Sequence, residues 1–335
     1  MEKLFSINMR MLGDLSAGDV TNLFRELLWC EARRIGISPH RIVISLKTDI
    51  ADGGIDARID GKPDLDSLIV KGLTYFQLKA GQTFKAWQRG ALIKELFGKS
   101  IAVPNKAALA PQIQECLKTN GRYVIVSFGY DLTPAQQSKS KKILRELLFS
   151  CGYKKASIDV LGQGQLLGLL SLFPSLSLKL QGKSDLAFLT VDEWKTRADM
   201  VQILQLSTAQ EQVIEQIQKG LRETEYRHIR IIGEPGLGKT RLVLEVVSAE
   251  DLCPMVIYVP HAEDFQRSRL FNELLRKDAG ATVILVIDEC SERERASIWS
   301  ALRQKQNIKL ITIDHGPERS RDEAMLVIDL PPLPD

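Results

Sequence analysis

Residues 233–240 run Gly233-Glu234-Pro235-Gly236-Leu237-Gly238-Lys239-Thr240, and few strings restrict a backbone as tightly. The glycines Gly233, Gly236 and Gly238 let the chain take positive φ and bring its N–H groups close to one point. The string stands between Ile229-Arg230-Ile231-Ile232, a buried-strand signal, and Lys239 to Val247, an amphipathic helix pattern. Strand, glycine-rich turn and helix start form a cradle for phosphate, because exposed N–H groups and the helix dipole both favour an anion there. Lys239 places a point charge near the β/γ-phosphates of a nucleotide, and Thr240 offers a hydroxyl to Mg²⁺. The bland alternative is a glycine-rich turn with an incidental lysine.

A second segment weakens that alternative. Val283-Ile284-Leu285-Val286-Ile287 is an unbroken apolar run, as in a strand buried on both faces of a parallel sheet, and it ends in Asp288-Glu289. Carboxylates at such a strand end emerge where ligands bind in open α/β sheets. Asp288 is expected to hold Mg²⁺ through its shell and Glu289 to polarise an attacking water. This half of the chain is expected to bind ATP or GTP.

The length of 335 residues leaves room for two domains. A hydrophobic content of 44% with 26% charged residues fits a globular chain, and a net charge of +3 neither requires nor excludes nucleic acid. Cysteines 30, 116, 151, 253 and 290 form no C-x-x-C pair, which argues against a zinc site or disulfide framework and suits a reducing compartment. No apolar run reaches membrane-spanning length, so the expectation is a cytoplasmic protein with no membrane partner.

Along the first 180 residues strand and helix signals alternate. A helix over Ala17 to Gly36 is followed by strands over Arg41 to Leu46, Ile55 to Asp60 and Thr74 to Ala80. Helical patterns over Trp87 to Phe97 and Ala107 to Thr119 precede a strand from Arg122 to Phe128 and a helix from Pro134 to Cys151. A strand over Ser157 to Leu161 and a helix near Gln165 to Leu172 lead to Phe173-Pro174-Ser175-Leu176-Ser177 and Gly182-Lys183-Ser184, which read as a linker. Thr208 to Leu221 is amphipathic, Met255 to Val259 is a strand, and the last strands are Ile308 to Ile313 and Met325 to Leu330. Nothing follows to close over a nucleotide. Either the chain is a fragment, or another polypeptide or domain supplies the lid.

The second chemical signal lies between residues 52 and 79. Asp52-Gly53-Gly54-Ile55-Asp56 opens a strand with Asp56, Arg58 and Asp60 on one face, and Gln77 and Lys79 share a face of the next strand. Pairing of the two strands as a hairpin sets Asp56 beside Gln77 and Lys79. A carboxylate, a second oxygen ligand and a lysine suit Mg²⁺-dependent phosphodiester hydrolysis. This GGxD…QxK pattern resembles the PD-(D/E)xK nuclease superfamily, particularly its Mrr-like restriction-endonuclease branch, over roughly residues 15–172. The resemblance implies Mg²⁺ held by Asp56 and Gln77, with Lys79 catalytic and an acidic residue on the first helix. Glu31 falls in the apolar stripe with Val20, Phe24 and Leu27 and is favoured as that catalytic and metal-binding acid, with Glu26 in reserve. The rival reading for Glu31 is a salt bridge to a neighbouring arginine. Lys85, Arg89, Lys94, Lys99, Lys139, Lys141, Lys142 and Arg145 could neutralise DNA phosphates or simply form solvated helix faces.

Smaller signals stay open. His261 reads as a loop-capping residue. His315 stands where related ATPases keep a γ-phosphate sensor, with Thr312 and Asp314 as rivals. Cys290 reads as a buried small residue.

From about residue 190 onward the chain resembles the STAND class of P-loop ATPases. The resemblance is carried by Gly233 to Thr240 with Arg241-Leu242-Val243, by Asp288-Glu289, and by Asp329-Leu330-Pro331-Pro332-Leu333. It implies that Gly233, Glu234, Pro235, Gly236, Leu237, Gly238, Lys239, Thr240, Arg241 and Asp288 line the nucleotide, with Thr240 and Asp288 on its metal. The class's sensor arginine is not evident, since Asp314-His315-Gly316 stands in its place. The expected fold class is α/β: a restriction-endonuclease-like mixed sheet flanked by helices over 1–180, then a P-loop NTPase parallel-sheet domain over 181–335 without its C-terminal lid and sensor region.

A Mrr-like nuclease ahead of a STAND ATPase is similar to the front half of bacterial antiviral STAND proteins. The resemblance implies an ATP-gated, Mg²⁺-dependent endonuclease acting on double-stranded DNA. It also implies activation as a homo-oligomer, such as a tetramer, and a phage protein trigger recognised by a region absent here. The alternatives are a nucleotide-switched DNA-binding scaffold with an inactive nuclease fold, and a restriction-type translocating motor, which the lack of helicase-like segments disfavours.

Overall fold

A computed structural model describes residues 4–38, 41–44, 56–61, 68–69, 72–98, 104–182, 187–197, 206–223, 226–276, 280–316 and 325–330. The expected GGxD glycines Gly53 and Gly54, Lys99 and the terminal Pro331-Pro332-Leu333 lie outside these residues. The chain divides into two compact units, Ile7–Leu170 and Met1–Ser6 with Ser171–Asp335. Both are mixed α/β, each a sheet containing parallel strands and flanked by helices.

In the first unit, strands β1 (Ile42–Ile44), β2 (Ala57–Gly61), β3 (Gly72–Lys79), β4 (Arg122–Ser127) and β5 (Ser157–Leu161) lie in sequence order in one sheet. The β1–β2–β3 portion is antiparallel, and β4 and β5 join in parallel. Helix α1 (Met9–Gly13) precedes α2 (Ala17–Arg34), whose Ser16 and Asp19 form a reciprocal capping box that fixes its start. Val20, Phe24, Leu27 and Glu31 then share its buried stripe. Further along lie α3 (Arg89–Phe97), α4 (Pro111–Lys118), α5 (Pro134–Ser150) and α6 (Gln163–Leu170). The helix expected over Ala107 to Thr119 is broken instead into a 3₁₀ turn, Lys106–Ala108, and α4. Pro111 explains the break, because its ring tolerates only a first-turn position. Backbone contact is closest beyond β3 and β4, where a Cβ on Gly129 would stand 1.6 Å from the Gly81 carbonyl oxygen.

In the second unit, α7 (Pro174–Gln181) occupies the stretch expected to be a linker. Pro174 starts that helix rather than breaking it, and Leu176, Ser177 and Leu178 are buried. Leu178 and Phe5 pack in one core with Ile257, Phe265, Leu285 and Leu310. That core explains why the structure divides at residue 170 rather than 180. Strand β6 (Leu189–Thr190) and α8 (Val191–Lys195) follow, then α9 (Thr208–Arg222), β7 (His228–Ile232) and α10 (Lys239–Val247). The remainder is β8 (Val256–Val259), α11 (Ala262–Arg267), α12 (Arg269–Leu275), β9 (Val283–Ile287), α13 (Glu292–Leu302), β10 (Ile308–Ile313) and β11 (Met325–Asp329). The sheet order is β11-β7-β10-β9-β8-β6, with β7 to β11 mutually parallel and β6 antiparallel at the edge. The parallel strands therefore deliver their following loops to one edge, with β10 between the strand of the glycine-rich loop and the strand of Asp288.

Candidate functional site

Two separate clusters carry chemistry. In the first unit, β2 pairs with β3 in the register Ala57↔Phe76, and the Asp56 N–H donates to the Phe76 carbonyl at 2.9 Å. This places Asp56 alongside Gln77. Asp56 Oδ2 accepts from Gln77 Nε2 at 2.7 Å and from the Leu78 N–H at 2.5 Å. Gln77 is buried, and its Oε1 has no hydrogen-bond partner among the described residues. A buried amide oxygen without a donor is costly in a native fold, and a cation or water satisfies it. Lys79, at the end of the same strand, pairs with Glu95 of α3 at 2.7 Å, and its Nζ lies 5.6 Å from the Phe84 ring centroid. Glu95 has no sequence signal. It is one polar position among several on an amphipathic helix.

Glu31 is fully buried. Its carboxylate accepts from Arg34 Nε at 2.7 Å and Nη2 at 2.8 Å, and from the Leu68 N–H at 3.2 Å. The structure thus supplies the arginine partner of the rival reading, and Glu26 is half-buried on the same helix. Among the described residues no three His, Cys, Asp or Glu side chains gather as a metal-holding group.

Several of the basic residues are committed within the fold. Lys141 and Arg122 both pair with Asp159, at 2.6 and 2.5 Å, and Arg89 pairs with Glu146 at 3.0 Å. Burial pushes the Asp159 carboxyl up, but hydrogen bonds from Lys141, the Val160 N–H and Arg122 outweigh it and hold the group below its ordinary range. Lys94, Lys139, Lys142 and Arg145 remain exposed.

In the second unit, Gly233, Gly236 and Gly238 all have positive φ. Gly238, at φ 73°, is the N-cap of α10, a conformation that a side chain would strain. Lys239 is buried, and its Nζ donates to the carbonyls of Gly233 at 2.8 Å and Glu234 at 2.7 Å and to His315 Nδ1 at 3.0 Å. Burial pushes the Lys239 ammonium below the ordinary lysine range, against the pull of Asp288 and Asp314.

Thr240 Oγ1 donates to Asp288 Oδ2 at 2.6 Å, so the residues expected on the nucleotide's metal meet directly. The Tyr258 hydroxyl donates to the same oxygen at 3.0 Å, and the Glu289 N–H to Oδ1 at 2.9 Å. Tyr258 is a site residue that the sequence hides, one aromatic within an apolar strand. Glu289 is exposed and sits at φ 43°, where a non-glycine residue is uncommon, with Oε2 2.8 Å from His261 Nδ1. His261 stands at the N-cap of α11 but makes no side-chain capping bond, so its ring serves Glu289 rather than the loop. Glu234, Pro235 and Gly236 are exposed, Leu237 is half-buried, and Arg241 pairs with Glu245, one turn further along its own helix, at 2.5 Å.

Of the three sensor rivals, His315 is the one that contacts the loop lysine. Thr312 is buried against His228 at 2.9 Å, and Asp314 is buried against Arg230 at 2.8 and 2.9 Å. Cys290 is buried as expected.

No protein-family model and no curated protein matches the chain. Among solved structures it is similar to that of C. elegans PCH-2, at 17% identity and a TM-score of 0.28, over 38% of this chain and 42% of that one. The overlap is too loose to define a shared fold. Among the described residues, no helix is long and apolar enough to cross a membrane.

Proposed function

We propose that the chain joins a Mg²⁺-dependent DNA endonuclease unit to an ATP-binding switch, of the kind that defends bacteria against phage. The observation that carries the nuclease half is the Asp56–Gln77 pair, whose buried Gln77 Oε1 has no partner among the described residues, with Lys79 on the same strand. Asp56 and Gln77 are the residues that would hold Mg²⁺, which when bound polarises the phosphodiester and acidifies a water. Lys79 supplies positive charge to the attacked phosphate, and Glu95 sets where that charge stands. Glu31 remains the family's helix acid in this reading, although Arg34 already serves its carboxylate.

In the second unit, the loop amides and Lys239 would take the phosphates, and Thr240 with Asp288 would hold the nucleotide's Mg²⁺. Glu289, held by His261, would polarise the water. ATP-driven assembly into a homo-oligomer, such as a tetramer, then pairs nuclease units across double-stranded DNA, with a phage protein as the trigger.

A second reading is a nucleotide-switched scaffold that binds DNA without cutting it. Glu95 favours it, because it already neutralises Lys79. Plasmid cleavage with Mg²⁺, wild type against Lys79→Ala, with and without ATP, separates the two. The nuclease reading expects cutting that ATP stimulates and that falls about 1,000-fold in the variant. Cutting that persists in Lys79→Ala sinks the site assignment. DNA binding by an ATP-loaded oligomer without cutting selects the scaffold.

A further inference from the structure

We infer that His315 is a phosphate-contacting residue that takes up a proton when the nucleotide binds, making nucleotide affinity proton-linked. The inference rests on the nucleotide reading of the second unit. An ammonium has three donors and no acceptor. Lys239 spends them on the Gly233 carbonyl, the Glu234 carbonyl and His315 Nδ1, at 2.8, 2.7 and 3.0 Å. The ring nitrogen facing the lysine must therefore be a lone pair, which makes His315 neutral with its proton on Nε2. Nδ1 also lies 3.5 Å from the Gly233 carbonyl, but a proton there would face the ammonium, so the shorter contact decides the tautomer.

Lys239 Nζ and the Gly233 carbonyl are the hydrogen-bonding neighbours of His315 among the described residues. The other charged groups nearby are engaged. Asp314 is bound by Arg230 at 2.8 and 2.9 Å, with Arg295 Nε at 3.9 Å, and Asp288 is bound by Thr240 and Tyr258. An arriving phosphate draws Lys239 away from its carbonyls. His315 Nδ1 then loses its donor and faces an anion where a cation stood. Both changes favour the imidazolium, which can donate to the phosphate. The proton comes from solvent, since the His315 side chain is exposed.

The sign follows. Binding takes up a proton, so affinity rises as pH falls. The test is isothermal titration of Mg²⁺ with a non-hydrolysable ATP analogue, in two buffers of different ionisation heat, for wild type and His315→Gln. The glutamine oxygen can still accept from Lys239, so that contact is kept, and matching melting temperatures check this. The nucleotide's own titration is common to both proteins and cancels in the comparison.

The expected result is a buffer-dependent heat in wild type that the variant loses. The variant's affinity should be about 5-fold weaker at pH 6.5 and unchanged at pH 8.5. Equal buffer dependence in both proteins, or a loss of affinity that is the same at every pH, overturns the inference. No binding by wild type at any pH overturns the nucleotide reading instead.

Discussion

Lys79 and Lys239 each close a strand-end site, yet their charges are answered differently. Lys79 meets a carboxylate, Glu95, at 2.7 Å. Lys239 meets two peptide carbonyls and an imidazole, with the carboxylates of Asp288 and Asp314 acting only from further off. An ammonium held by dipoles in a buried place has less electrostatic compensation than one held by an acid. The interaction energy of Lys239 is therefore open to an incoming anion. A phosphate arriving at Lys79 must compete with Glu95.

The sharpest way to break this contrast is Lys239→Ala. Nucleotide affinity is expected to fall about 100-fold, about 2.7 kcal/mol, in a fluorescent-nucleotide titration. An unchanged affinity means that the loop lysine does not carry the anion. A smaller effect is expected at the other lysine. Glu95→Gln leaves Lys79 in need of a counter-charge, so DNA binding at low salt should tighten about 3-fold and its salt dependence should steepen by about one ion. Weaker binding in that variant would show that the positioning of Lys79 by Glu95 outweighs its competition with phosphate.

The smallest effect compares the two units through one thiol in each. Burial first, then Glu115, pushes Cys116 up to about 12; burial first, then Glu294 and Asp314, pushes Cys290 up to about 12. Each raised group adds stability that is complete below its ordinary 9.0 and is lost as pH climbs toward about 12. At pH 8 both thiols should resist alkylation until their own unit opens, while the half-buried Cys253 reacts first. Equal rates for Cys116 and Cys290 across a denaturant series mean that the units open together.

The glycine-rich loop is legible because its information is local. Eight consecutive residues dictate a turn that only glycine permits at Gly233, Gly236 and Gly238, and Val283 to Ile287 can hardly be other than a buried strand. Asp56 beside Gln77 is also readable, since alternation along two strands fixes which side chains share a face. Partner choice is not readable. Nothing along Arg89 to Phe97 singles out Glu95 for Lys79, and nothing in Met255 to Val259 singles out Tyr258 for Asp288, because those contacts arise when elements dock. Glu31 shows the boundary between the two cases. Arg34 lies three residues away on the same helix, so the pairing is visible as an option, but burial and the Leu68 N–H decide it. Pro174 misleads for a different reason: the same ring that ends one helix is well suited to begin another.

Trp194 is completely enclosed and lies flat on Tyr258, with ring centroids 3.8 Å apart and planes 8° from parallel. The hydroxyl of that same tyrosine holds Asp288. Indole emission responds to the charge and polarity around it, so the stack joins a luminescent group to the aspartate through a single aromatic ring. The chain carries an optical gauge beside Asp288, readable in unlabelled protein.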